Sequence, residues 1–239
     1  MSEEFILKID AKNVIQEAIV ATSGLPDDFS SLPVVNYICS SVLLKLTGFL
    51  EQKFRALDWT LAYHNREYRY NFMREIHGEY SSYEEKQKVY KQLLKEITKF
   101  NNSFFIRHET FAKEVFCFIE KSFENTIFSS NLCRDFKEFK KELREIDFKK
   151  HKITKDSNTF TLIPHQSVKK LFDNIIKERN QIAHNTFVTK QTNINIEESY
   201  TIVNLNPRNI FIQLFVLVYI DSIFNDTYKI YNENINCGY

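Results

Sequence analysis

From Val34 to His64 the chain keeps one rhythm. Val35, Ile38, Cys39, Val42, Leu43, Leu46, Phe49, Leu50, Leu57 and Leu61 return at three- and four-residue steps with no proline between them. That period belongs to one long helix with a buried face. Gly48 weakens it by about 1 kcal/mol relative to Ala and permits close packing. Only 4 Gly and 4 Pro occur in 239 residues, which favours long helices over a many-stranded sheet. The 22 Phe and 12 Tyr suggest a core filled with large rings.

The remaining segments read the same way. Residues 10–22 give a short helix with Val14, Ile15, Ala18 and Ile19 on one face, closed by Ser23 to Asp28; Pro33 suits the next helix start. Residues 65–100 are polar and helical with a break near Gly78, and Tyr83, Tyr90, Leu93, Leu94, Ile97 and Phe100 form a stripe on the second half. Residues 104–125 carry Phe111, Val115, Phe116, Phe118, Ile119 and Phe123. His108 at that helix start reads as a capping or surface residue, with catalysis as the sharper option. Asn125 to Asn131 reads as a polar turn, 132–148 as a charged helix, and Lys149 to Leu162 as a loop. Thr186 to Val203 alternates polar and β-branched residues, as an extended loop or short hairpin would. Pro207 is expected to start the last helix. Its apolar run, Ile210 to Phe224, holds Gln213 and Asp221 and falls short of the about 20 apolar residues that span a bilayer. It is expected to be the central buried helix. The expectation is an all-α antiparallel bundle in one domain, 1–239, with 1–33 as N-terminal helix and lead-in and 34–234 as helical core.

Formal charge is only +1, so any nucleic-acid contact would depend on local patches. Cys39, Cys117, Cys133 and Cys237 show no C-x2-C spacing; reduced thiols in a cytoplasmic protein are the expectation. The start M-S-E-E-F has no basic n-region and does not read as a signal peptide. No metal-ligand spacing, Gly-rich phosphate loop or G-x-S-x-G is visible, so neither metal nor cofactor is expected.

The stretch that carries chemistry is Val168 to Asn185. Val168, Leu171, Phe172, Ile175, Ile176, Ile182 and Ala183 make an apolar stripe, and Arg179 falls near its centre. A guanidinium cannot shed its charge and needs partners when buried. Three readings are open: a core arginine paired with an internal carboxylate, one snorkelling from the stripe edge, or one in a cleft or subunit interface facing a phosphate. Five residues on comes His184, suited to proton transfer near neutral pH, and Asn180 shares its helix face.

Arg179-Asn180-Gln181-Ile182-Ala183-His184 resembles the R-x4-6-H motif of the HEPN superfamily, with a polar residue after the arginine. The resemblance implies a HEPN-type helical bundle and a metal-independent endoribonuclease. It also implies a homodimer whose motifs meet across the interface, in a toxin or antiphage setting with an antitoxin or defence-system partner. It matches Glu51 to an acidic residue on an early long helix; the bland reading is a solvated glutamate. Arg179, His184, Asn180 and Glu51 are the catalytic candidates. RNA carries its own 2′-hydroxyl nucleophile. His184 would move protons, Arg179 would stabilise charge on the phosphate, and Asn180 would orient the phosphate or the imidazole. The alternative is a non-catalytic RNA- or protein-binding module of the same fold. On an ideal helix, residues five apart point about 140° away from each other. The pair therefore converges only if the helix ends near Ala183 to Asn185, or if each residue meets its symmetry mate.

Two stretches are candidates for holding RNA. Arg66, Arg69 and Arg74 alternate with Tyr68, Tyr70 and Phe72, a pattern of charge and stacking or simply a half-exposed helix. From Arg134 to Lys155 there are nine Lys and Arg against five Asp and Glu. Lys140, Lys141, Arg144, Lys149 and Lys150 would line a path for the phosphodiester backbone or a solvated face.

Overall fold

The computed structural model describes residues 8–73, 78, 80–100, 104, 106–145, 161–163, 166–184 and 208–236. Of the loop expected from Lys149 to Leu162, residues 149–160 lie outside them, as do the extended segment or hairpin at 186–203 and the positions of Arg74, Lys149, Lys150 and Cys237. The described residues are mostly helical and contain no strand: α1 (Ala11–Thr22), α2 (Leu32–His64), α3 (Arg66–Phe72), α4 (Tyr83–Phe100), α5 (His108–Phe123), α6 (Ile127–Asn131), α7 (Cys133–Glu145), α8 (Gln166–Ala183) and α9 (Ile210–Asn236), with a 3-10 turn at Phe29–Ser31.

Each helix starts and stops for a local reason. Asp10 caps α1, its carboxylate accepting the Lys12 N–H at 2.8 Å. Asn65 ends α2 and begins α3: it is extended, its N–H closes on Leu61 O, and its side chain accepts the Tyr68 N–H at 2.8 Å. The stretch expected as a polar turn at 125–131 contains α6 instead. Asn125 adopts a left-handed conformation (φ 59°), which Asn tolerates, and Ile127 and Phe128 are buried as anchors. The last helix begins at Ile210 rather than at Pro207. Asn209 caps it, accepting the Phe211 N–H at 3.1 Å and donating to Asp135 O at 2.6 Å.

The core is built around α9, which packs against α1, α2, α4, α5, α7 and α8. Every residue from Phe211 to Asp221 is buried. Rings fill the space between α5, α7 and α9: Phe211 lies 5.2 Å from Phe123 and 5.0 Å from Phe136, and Phe116 stacks on Phe139 at 5.2 Å. The sequence pattern ended the apolar run of this helix too early. By length and composition α9 is long and apolar enough to cross a membrane, as is α2, but 78% of its apolar window is buried inside the protein, against 33% for α2. The apolarity of α9 is thus used by the core.

A buried ion pair sits inside this apolar surround. Lys53 Nζ of α2 lies 2.5 Å from Asp221 of α9, and both side chains are almost fully buried. Asn225 Oδ1 accepts a second Lys53 proton at 2.9 Å, and the other Asp221 oxygen accepts the Ala11 N–H at 2.9 Å. Removing one member strands a buried charge. Asp221→Leu is expected to cost about 3–5 kcal/mol in urea unfolding, with Lys53→Met/Asp221→Leu recovering most of it. A loss in the double variant equal to the sum of the losses in Lys53→Met and Asp221→Leu would show that the charges are not coupled.

Candidate functional site

The buried face of α8 runs through Val168, Leu171, Phe172 and Ile175. Arg179 continues that face one turn beyond Ile175, where the packing opens toward solvent. Its side chain is 23% exposed and its partner Glu51, on α2, is 15% exposed; Nη2 donates to Glu51 Oε2 at 2.9 Å. Nη1 donates to Asn180 Oδ1 at 2.8 Å. The guanidinium is therefore held by a carboxylate, as in the first reading of the sequence, but at the protein's edge rather than in its interior. Glu51 is not a solvated glutamate.

His184 closes the motif. Its N–H still donates to Asn180 O at 3.1 Å, as a helical residue's would, although α8 ends at Ala183. Its side chain is exposed. The helix ends within the range expected from the sequence, but helical spacing carried to His184 sets its Cα–Cβ direction about 140° round the axis from that of Arg179. Structure thus brings together Glu51, Arg179 and Asn180, and leaves His184 on the adjacent surface at the helix end.

A second cation lies behind the pair. Lys86 of α4 is fully buried. Its Nζ donates to Ser81 O at 2.9 Å and to Tyr80 O, and sits 5.2 Å and 5.9 Å from the rings of Phe172 and Phe54. Burial pushes its pKa down to about 8; Glu51 acts to raise it and Arg179 to lower it further. The sequence signal was present: Lys86 fills the gap between Tyr83 and Tyr90 in the buried stripe of α4, a place where the period asks for an apolar residue. On the other flank, Glu178 accepts the buried Gln213 amide at 2.6 Å, and desolvation raises its pKa.

His108 is neither a cap nor a surface residue. It is buried, with Nδ1 2.8 Å from the Tyr219 hydroxyl, which ties α5 to α9 far along the chain from the α8 motif. Among the described residues no group of three or more His, Cys, Asp or Glu is placed to hold a metal ion. Cys39, Cys117 and Cys133 are free thiols.

Of the residues expected to hold RNA, several have local work. Arg69 caps the C-terminal end of α2, with Nε donating to Ala62 O at 2.8 Å and Nη2 to Tyr63 O. Tyr68 donates to Asp58, and Phe72 is buried. Arg66 and Tyr70 are exposed. On α7, Lys140 Nζ lies 4.8 Å from the Phe136 ring centroid, Arg144 pairs with Glu120 at 3.2 Å, and Lys141 is exposed.

Compared with protein-family models, curated proteins and solved structures, the chain finds no match.

Lys86 gives the site a pH signature in stability. Its folded pKa of about 8 lies below the about 10.4 of an unfolded lysine. Below pH 8 both states hold the proton and the burial cost is complete. Between the two values the unfolded chain binds a proton that the folded one lacks, so stability rises with pH. The urea midpoint is expected to increase from about pH 7 to about pH 9.5, by about 2 kcal/mol of stability, and Lys86→Met should abolish the increase. A pH-independent difference between the two proteins would remove Lys86 as its source.

Proposed function

We propose that this chain is a metal-independent endoribonuclease of HEPN type, working as a homodimer on a composite site. The observation that carries the reading is the Glu51–Arg179–Asn180 cluster. An arginine on α8 is fixed by a carboxylate from α2, 128 residues away in sequence, and by its own neighbour, at the protein's edge. Two of the five guanidinium N–H donors serve those contacts, and the fork geometry can direct others at a phosphate oxygen. A guanidinium already oriented needs little reorganisation when charge builds on the phosphate.

The reaction follows from the RNA itself. A base removes the 2′-hydroxyl proton, the oxygen attacks the adjacent phosphorus, and the P–O5′ bond breaks. An acid protonates the leaving 5′-oxygen. The products are a 2′,3′-cyclic phosphate and a 5′-hydroxyl. His184 suits either proton transfer, but one imidazole does not readily serve both sides of the phosphorus. The divergence of Arg179 and His184 within one chain argues in the same direction. A two-fold axis would supply two histidines and two arginines. In this reading the protein acts on cytoplasmic RNA as a toxin or antiphage effector, restrained by a partner; that setting extends the family resemblance.

The same ion pair also favours a second reading. An arginine satisfied by Glu51 serves a binding module of this fold equally well, without turnover.

Incubating purified protein with total RNA in the presence of EDTA, then mapping end groups, separates the two. Cleavage with cyclic-phosphate ends is expected. Arg179→Ala should lower the rate by about 10²–10³-fold and His184→Ala by about 10²–10⁴-fold, with both variants still folded by circular dichroism. Retained RNA binding with no cleavage selects the binding module.

A further inference from the structure

Eight large hydrophobic residues stand exposed among the described residues, and four of them fall in one short stretch. Trp59, Tyr63, Tyr70 and Met73 are 54%, 74%, 60% and 73% exposed. Trp59 and Tyr63 are one turn apart at the end of α2. Tyr70 and Met73 are one turn apart at the end of α3, with Arg66 one turn before Tyr70. Contacts between the helices join the two sets. The Trp59 ring meets Phe72 edge-on at 4.9 Å, and the Arg69 guanidinium lies 5.9 Å from the Tyr63 ring centroid.

The base under these rings is fixed. Phe72 is buried, the Tyr68 hydroxyl donates to buried Asp58, and Asn65 locks the turn between the helices. Rings displayed on such a base have little freedom to lose on binding. Exposed apolar clusters mark interaction sites, and the charges here specify the partner. Arg66 and Arg69 interleave with the rings, Arg55 lies one turn before Trp59, and all three are exposed. Asp58 is buried and bonded to the two tyrosines Tyr68 and Tyr80, which leaves Glu67 as the exposed acid of α3. Rings flanked by guanidinium groups fit unstacked bases joined by phosphates. A duplex keeps its base faces stacked and offers nothing for such rings.

We infer that Trp59, Tyr63 and Tyr70, with Arg66 and Arg69, form a stacking platform for single-stranded RNA. It rests on the RNA-directed reading above and adds the surface that receives the strand. Trp59 lies two turns along α2 from Glu51, about 12 Å of helix axis, so a strand seated there reaches the Arg179 cluster within a few nucleotides.

Trp59 is the only tryptophan in the chain, so its fluorescence reports this surface alone. The test titrates the full-length protein with a single-stranded 2′-O-methyl oligouridylate of about twelve nucleotides, a length within the usual range of single-strand sites. This RNA lacks the nucleophile and cannot be cleaved. Saturable quenching that weakens with salt is expected. Tyr63→Ala and Tyr70→Ala should each weaken binding by about tenfold. Arg66→Ala should weaken it less and flatten the logarithmic salt dependence by about 0.7. No quenching at any oligonucleotide concentration overturns the platform. So does an equal response to duplex RNA, or a blue shift with anionic vesicles and none with RNA. Quenching by a protein that cleaves nothing keeps the platform and removes the nuclease reading; cleavage with no Trp59 response removes the platform alone.

Discussion

Asp221 sits where water does not reach, and three parts of the chain converge on it. Lys53 of α2 gives it a countercharge, the Ala11 N–H gives it the start of α1, and Asn225 braces it from one turn further along α9. Such a pair contributes little net stability over apolar packing, because desolvation offsets much of the attraction. What it contributes is direction: a buried ammonium finds its carboxylate in one rotation of α2 about its own axis and not in others. Residues two apart on a helix point about 200° away from each other. Fixing Lys53 toward α9 therefore turns Glu51 to the opposite flank, where α8 packs against α2 and Arg179 receives it. The geometry of the outer ion pair is a consequence of the inner one.

That relation explains what could and could not be read from the sequence. The long helices were legible, because each has an apolar stripe that repeats for several turns. The special place of Arg179 was legible for the same reason, since a cation interrupts a stripe. The period also marked Lys53 and Lys86, which stand at stripe positions of α2 and α4, but a stripe does not say what a misplaced charge will meet. Asp221 lies 168 residues beyond Lys53, and only the packed fold brings them together. The role of Arg69 was hidden differently. Its partners are the last carbonyls of α2, and they come within reach because Asn65 turns the chain sharply enough to fold α3 back. His108 was misread because nothing local announces the Tyr219 hydroxyl that holds it.

A chain with 32 basic and 31 acidic side chains meets a polyanion only through local imbalance, and the structure shows where charges cancel. Arg134 pairs with Glu138, Arg144 with Glu120 and Lys99 with Glu96. Two of the five described basic side chains of α7, Arg134 and Arg144, are thus matched by acids within a turn or on a neighbouring helix. Exposed pairs of this kind contribute little to stability, yet they lower the local potential that a phosphate backbone would sense. The α2–α3 junction differs. Its acid Asp58 is drawn inward by two tyrosine hydroxyls, and its arginines remain outside with the rings. On the proposed RNA-directed reading, the contrast favours the junction over α7, the reverse of what counting charges along the sequence suggests.

On the proposed reading, one copy of the chain holds an incomplete reaction centre. The guanidinium is anchored inward by Glu51, while helical spacing turns the imidazole of His184 outward, to the far side of the same helix end. Arg179 cannot swing toward the imidazole without breaking an ion pair at 2.9 Å, and the His184 backbone is held by its bond to Asn180 O. A pair whose backbone directions diverge does not readily close on a single phosphate from within one molecule, yet it can present an arginine to one side of a shared groove and a histidine to the other. Two copies related by a two-fold axis would then place the arginine of each against the histidine of its mate. The ion pair that holds the arginine away from its own chain's histidine would also fix the arginine's side of the assembled site, because that guanidinium is already oriented when the second copy arrives.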